Sequence, residues 1–398
     1  MEKYNYLKQA NAIIEELIKN ESNVEDNIIN FLLNSNKNTK YTPEFMENLC
    51  GEKISNVDLS GFTLLHKCVI LTAKYLNLNN ILRNYFNVFS EFHNSINITT
   101  NEKWTALHLA ARNSRTASTE ETVKLLIDNG ANVNLQNNNG WTALHLASKY
   151  SKNLSTEGIV KLLIDAGANV NLQNDGGWTA LHLASKYSKI TSTEGTVKLL
   201  IDAGSNVNLQ NDGGWTALHL ASKYSKTTST EGTVKLLIDA GSNVNLQHND
   251  GWTALHLASK YSKTTSTEET VKLLIAAGAN VNLQEKYDCR TALHLASYNS
   301  KTSSSEETVK LLIDAGANIN LQDNNGWTAL HLASRYLKTN STEKFGQKKY
   351  NKIIGECVIC FGELESFTCN YDHNICFKCL VRSKNNFCPV CLKQFKLL

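Results

Sequence analysis

"NDGGWTALHLASKYSK" runs from Asn174 to Lys189 and again, letter for letter, from Asn211 to Lys226. Tryptophan, histidine, serine and lysine together have the look of a reactive site. The setting gives the phrase another meaning. Its tryptophan recurs at Trp104, Trp141, Trp178, Trp215, Trp252 and Trp327, with Arg290 in the same place in one copy. Successive spacings are 37, 37, 37, 37, 38 and 37 residues. A worn copy, "GFTLLHKCV", starts at Gly61. A fixed period of this length marks an array of stacked units. Residues 171–210 and 208–247 differ only at Ile190 and Thr227, the mark of recent duplication.

The unit of residues 138–173 can be read locally. Asn139-Gly140 is a strong turn signal and predicts a hairpin. Thr142 opens a helix, "TALHLASKY", in which Ala143 and Ala147 lie one turn apart and let another helix approach closely. Ser155-Thr156 before Glu157 predicts the start of a second helix. Thr191 and Thr228, three residues before Glu194 and Glu231, are expected to form capping boxes there. Val160, Leu163 and Ile164 supply its apolar stripe, and Gly167 ends it in a left-handed conformation. "ANVNLQ" is expected to be extended. One such unit cannot bury its apolar face alone, whereas stacked neighbours can.

This pattern resembles the ankyrin repeat, through "GWTALHLA", "TVKLLI" and "GANVN" or "GSNVN". The resemblance covers residues 58–340 and implies a mostly α solenoid, a hairpin plus two helices per repeat. It departs in two ways. Alanine stands where the family carries proline at the helix start. The unit is four residues longer than usual, in "SKYSKTTST", which predicts either an extra helical turn or a longer loop. The array is expected to be a rod on the order of 70 Å long, and the resemblance implies that it binds a protein target. Residues 1–57 read as a helical cap, with a separate interaction module as the alternative.

His108, His145, His182, His219, His256, His294 and His331 fall at one place in the unit. No cysteine or carboxylate shares their helix face at ligand spacing, so they are expected to be structural, as in the family. The six tryptophans sit where hairpin meets helix. They either cover the seam between units or form an aromatic stripe for a partner.

A formal net charge of +3 argues against a nucleic-acid or membrane-surface role. No apolar run approaches a membrane span, and the charged N-terminus is not expected to be a secretory signal. The protein is expected to be soluble, intracellular and cytoplasmic. Only two prolines, and six arginines among 40 basic residues, point to an AT-rich genome.

Seven of the ten cysteines lie between Cys357 and Cys391. The run "ECVICFGELESFTCNYDHNICFKCLVRSKNNFCPVC" offers Cys357, Cys360, Cys369, His373, Cys376, Cys379, Cys388 and Cys391. Tetrahedral zinc takes four thiolate or imidazole ligands, so eight donors predict two closed structural Zn2+ sites. A tail this short with few apolar residues needs such a staple, and closed sites leave no position for activating water.

Ligand order, with histidine fourth, resembles the RING finger; a PHD finger would carry histidine fifth. The resemblance implies that one zinc takes Cys357, Cys360, Cys376 and Cys379, and the other Cys369, His373, Cys388 and Cys391. It implies a RING-type ubiquitin ligase, with Ile359, Leu380, Pro389 and Val390 docking a ubiquitin-conjugating enzyme. No catalytic residue is expected on the RING itself. Ser383 and Leu392 depart from the tryptophan and arginine often found at their positions. The rival reading is a scaffold whose RING is structural or dimerising. Residues 341–356 read as a linker or capping helix, and 357–398 as the RING. The layout and AT-rich composition resemble the ankyrin proteins of giant DNA viruses of amoebae, and a protist or intracellular bacterium fits too.

Overall fold

The computed structural model describes residues 96–333, with gaps at 113–116, 152–153 and 301. It also describes Leu65, His66, Val69 and Arg83, and the backbone of two short strands near the C-terminus. The chain divides between Asn206 and Val207 into two compact units. The expected cap (1–57), the linker (341–356) and most of 357–398 lie outside the described residues.

The first unit contains α1 (Ala106–Arg112), α2 (Ala117–Asp128), α3 (Ala143–Tyr150), α4 (Leu154–Asp165), α5 (Ala180–Tyr187) and α6 (Glu194–Asp202). The second contains α7 (Ala217–Tyr224), α8 (Glu231–Asp239), α9 (Ala254–Tyr261), α10 (Glu268–Ala276), α11 (Ala292–Asn299) and α12 (Glu306–Asp314). Within each unit, every first helix packs on its own second helix and on the first helix of the next repeat. Second helices likewise pack on second helices, so each unit is two helical layers thick. Farther along, β1 (Ser366–Thr368) pairs antiparallel with β2 (Asn374–Cys376).

The packing follows from the phrase. Ala143 and Ala147 are 2% and 0% exposed, which confirms the close approach of neighbouring first helices. In the second helices the fully buried stripe is Ile159, Val160 and Leu163, or Thr196, Val197 and Leu200 in the next repeat. Ile164 is only half-buried. Gly167 ends α4 at φ +85°. Gly140 has φ +73°, and a Cβ there would sit 2.7 Å from the Asp175 backbone nitrogen, so glycine is required twice over.

Several local expectations are corrected. Among the described residues the repeats contain no strand. The expected hairpin is a tight turn, closed by Asn137 N–H donating to the Trp141 carbonyl at 3.0 Å. "ANVNLQ" is not extended either, because Asn169 Oδ1 accepts from Asn171 N–H and turns the chain. The freed side chains bridge repeats. Asn171 Nδ2 donates to the Gly204 carbonyl (3.2 Å), and its Oδ1 accepts from Asn206 N–H (2.7 Å). In the second unit Asn208 does the same with Gly241 and Asn243.

The second-helix caps also differ. Thr193 and Thr230 are the N-caps, accepting from Thr196 and Thr233 N–H, so Glu194 and Glu231 open the helix. Thr191 is engaged elsewhere: its N–H and that of Ser192 both donate to the Tyr187 carbonyl. Helix α4 begins at Leu154, ahead of the expected Ser155-Thr156, and α2 begins at the equivalent Ala117. Where Thr191, Thr228, Thr265 or Ser303 holds that position, the helix starts three residues later. Leucine and alanine favour the helix, while hydroxyl residues compete with its backbone bonds. The four extra residues therefore become a helical turn in two repeats and a loop in the others.

Those loops are tied to their neighbours by buried hydroxyls. Thr270 Oγ1 donates to Ser225 Oγ at 2.6 Å, and Ser266 Oγ to the Ser222 carbonyl at 2.6 Å. Ser304 Oγ repeats this on the Ser259 carbonyl. Ser222 and Ser259 are fully buried, yet their own hydroxyls have no hydrogen-bond partner. A buried hydroxyl without a partner costs on the order of 1 kcal/mol or more. Ser222→Ala and Ser259→Ala should therefore each raise stability by about 1 kcal/mol. Urea unfolding checks this: the midpoint moves up at constant slope, and a lowered midpoint contradicts it.

Candidate functional site

Each first helix is started by a threonine whose partner is the histidine three residues on. The Thr142 hydroxyl caps His145 N–H, while Thr142 N–H donates to His145 Nδ1 at 3.1 Å. Since Nδ1 accepts a backbone N–H, the ring proton sits on Nε2. That nitrogen reaches the Trp178 carbonyl of the next repeat at 2.8 Å. The same bridge joins His108 to Trp141 (2.9 Å), His219 to Trp252 (3.0 Å) and His294 to Trp327 (3.1 Å). In the worn copy, His66 reaches the Trp104 carbonyl at 3.1 Å. Both nitrogens of His108, His145, His219, His256 and His294 are thus spoken for by backbone. None is placed for acid–base work, and their structural role is confirmed.

Burial pushes His66, His108, His145 and His256 down to about 4, against the pull of carbonyl hydrogen bonds. His294 is lowered for the same reason.

The tryptophans are half-buried. Their backbone belongs to the seam: the carbonyls of Trp104, Trp141, Trp178, Trp252 and Trp327 take the histidine bridge, and Trp141 N–H donates to Asn137 Oδ1 at 3.0 Å. Asn174 and Asn211 hold Trp178 and Trp215 the same way, as Asp323 holds Trp327. The indole packs edge-on against its own histidine, with centroids 6.0 Å apart for Trp141–His145. His248 replaces the asparagine in one finger and stacks on Trp215 at 4.7 Å.

A lysine eight residues on lies over each central indole: Lys149 over Trp141 (5.5 Å), Lys186 over Trp178 (5.2 Å), Lys223 over Trp215 (5.0 Å) and Lys260 over Trp252 (4.8 Å). Arg112 lies over Trp104 at 5.7 Å. Where Arg290 replaces tryptophan, Tyr298 replaces the lysine, and the guanidinium lies 5.7 Å from the tyrosine ring. The cation and the ring have exchanged places and the contact survives. Such a contact contributes about 0.5–1 kcal/mol when exposed, tying finger to helix end. Reading the sequence for helix periodicity missed this pair, because its members lie on different elements. The exchange at Arg290 and Tyr298 was the signal that could have revealed it.

Among the described residues, no group of three or more His, Cys, Asp or Glu could hold a metal, and no helix is long and apolar enough to cross a membrane. The expected zinc ligands Cys357, Cys360, Cys369, His373, Cys379, Cys388 and Cys391 lie outside the described residues, as do Ile359, Leu380, Pro389 and Val390. The side chain of Cys376, in β2, does too. The donor set itself, seven thiolates and an imidazole, fits two tetrahedral zinc sites.

The family model described as ankyrin repeats (three copies) matches in six overlapping windows: 70–157, 116–192, 153–231, 190–285, 225–323 and 263–345. Among solved structures, the chain is similar to the ankyrin repeat domain of Bcl-3, a member of the IkappaB protein family. Identity is 29%, coverage is 56% of this chain and 91% of that one, and the TM-score is 0.45. No curated protein matches the chain.

The histidine bridges set a pH dependence. The unfolded chain takes up protons near pH 6.5, whereas the folded one keeps His66, His108, His145 and His256 neutral to about 4. Between those values the unfolded state holds more protons, so stability falls as pH falls. It is fully present above 6.5 and lost progressively down to 4, by roughly 3 kcal/mol per histidine. Thermal unfolding should show a Tm that drops steeply below pH 6.5. A Tm unchanged down to pH 4.5 contradicts the bridge.

Proposed function

Because the chain belongs to the ankyrin-repeat family, we propose that its array binds a protein and recruits it to a RING-type ubiquitin ligase formed by residues 357–398. The ligand spacing from Cys357 to Cys391 carries this reading. Two zinc ions would fold the segment, one on Cys357, Cys360, Cys376 and Cys379, the other on Cys369, His373, Cys388 and Cys391. Zinc supplies structural cross-links here, since eight ligands close both sites.

The β1–β2 pair is consistent with that order. Its register sets Thr368 against Asn374, and Cys369 and His373 are the next residues in the sequence on either side of that pair. Ile359, Leu380, Pro389 and Val390 would supply the apolar surface on which a conjugating enzyme docks. Its thioester-bound ubiquitin then passes directly to a lysine of the captured protein. No nucleophile is required from this chain, and thiolates committed to zinc are poor ones. Ser383 and Leu392 favour a second reading, in which the RING only folds or dimerises and the protein is an interaction scaffold.

Ubiquitin transfer by the full chain, assayed with a panel of conjugating enzymes, separates the two. The ligase reading expects self-modification with at least one enzyme, abolished when Cys357→Ser and Cys388→Ser are combined. Transfer absent throughout, or untouched by that pair of substitutions, contradicts it.

A further inference from the structure

The lysine–indole contacts have more around them than one ring. Lys149 Nζ lies 5.5 Å from the Trp141 ring, 5.0 Å from Tyr150 and 5.9 Å from Tyr187. In the second unit, Lys223 Nζ lies 5.0 Å from Trp215, 5.1 Å from Tyr224 and 5.8 Å from Tyr261. Lys186 and Lys260 each lie over two rings. Rings attract an ammonium through their quadrupole and hold it in place without cancelling its charge. Among the described residues, Lys149, Lys223 and Lys260 make no ion pair, whereas Lys272 and Lys310 on second helices pair with Glu269 and Glu307. The segments from tryptophan to the second lysine, "WTALHLASKYSK", contain no acidic residue. The second unit therefore presents two fixed cations without an ion pair, Lys223 and Lys260, framed by half-buried aromatics.

We propose that these lysine clusters bind an extended acidic segment of the protein target, with a carboxylate at every third residue. The proposal rests on the array being a protein-binding module and names the chemistry it recognises. The register follows from geometry. Adjacent packed helices lie about 8–10 Å apart, and an extended chain advances about 3.3 Å per residue. Three residues of ligand thus span one repeat, placing successive carboxylates at Lys223 and Lys260. Tyrosine and tryptophan flank the pair with amphipathic surface suited to a peptide backbone. The run ends at the Arg290 repeat, where the cation is already taken by Asp288 at 3.2 Å and Asp323 at 3.3 Å.

A single-stranded nucleic acid also seeks cations and aromatics, but it needs ring faces on which bases stack. Here each central indole has an ammonium over one face and its histidine packed against it. The arrangement favours carboxylates over bases.

All six tryptophans of the chain occupy this motif position, so intrinsic fluorescence reports on the stripe alone. The full chain is titrated, at physiological ionic strength, with a synthetic peptide of roughly 12 residues bearing glutamate at every third position. A peptide of the same composition with its glutamates clustered, and a single-stranded oligonucleotide of equal charge, serve as comparisons. The spaced peptide should saturate the signal and bind at least about tenfold more tightly than the other two. Changing Lys149, Lys186, Lys223 and Lys260 together to Gln should cost about the same factor, and changing them to Arg should not. Changing Lys161, Lys198, Lys235 and Lys272 to Gln removes equal charge from the second helices and should leave binding intact. Equal binding of spaced and clustered peptides, equal loss in the two Gln variants, or preference for the oligonucleotide overturns the proposal. Crosslinking of a cellular protein to wild type and stripe Gln variant alike also overturns it, while leaving the array's protein-binding role standing.

Discussion

A neutral imidazole holding two backbones at once is the constraint on which the array depends. In His145, Nδ1 accepts from Thr142 N–H and Nε2 donates to the Trp178 carbonyl. The first bond helps start the repeat's own helix, and the second fixes the finger of the next repeat. A histidine serves because it is one rigid ring with an acceptor on one side and a donor on the other. Protonation would set a second N–H against the donating Thr142 amide, so the charged form is excluded by geometry as well as by burial. Lysine at this place, a donor with no acceptor, would satisfy the Trp178 carbonyl and orphan the Thr142 N–H.

Around that bridge, the longer repeat adds ties that the short phrase does not suggest. Asparagines on the return segment cap the glycine turn of the next repeat, glutamines such as Gln136 and Gln210 bridge neighbouring fingers, and loop hydroxyls reach across to the adjacent first helix. Each of these bonds runs between neighbours, which is why near-identical units can be duplicated without redesign. A change shared by all copies preserves every interface. The exceptions are His248, which is buried against Trp215, and the Glu285–Arg290 finger, where the surface becomes individual and Tyr287 is 61% exposed.

Much of this was legible because period and chemistry agree. The 37-residue spacing, the alanines one turn apart and the terminal glycine each demand one local geometry. What was not legible involved a choice among equivalents. In Thr191-Ser192-Thr193 any hydroxyl can cap a helix, and only the bonds of Thr191 and Ser192 to the Tyr187 carbonyl leave the role to Thr193. The extended segment failed similarly, since Asn169 can turn its own backbone where a strand would need a partner. Of the tryptophans, the sequence offered seam or stripe as alternatives. Their backbones lie in the seam, while their rings are half-buried, the central four beneath lysines. The cysteine-rich tail is legible from its donors alone, and its proposed ligase role rests there.

The array therefore stands on histidines that are neutral bridges with the proton on Nε2. Nitrogen-15 NMR of the histidine rings in the intact protein tests it directly. Neutral bridging requires, for His108, His145 and His256, an unprotonated Nδ1 and a slowly exchanging Nε2 proton that persist well below pH 6.5 for as long as the protein stays folded. Rings that take up a proton near the ordinary histidine value of about 6.5, or that carry their proton on Nδ1, would contradict it.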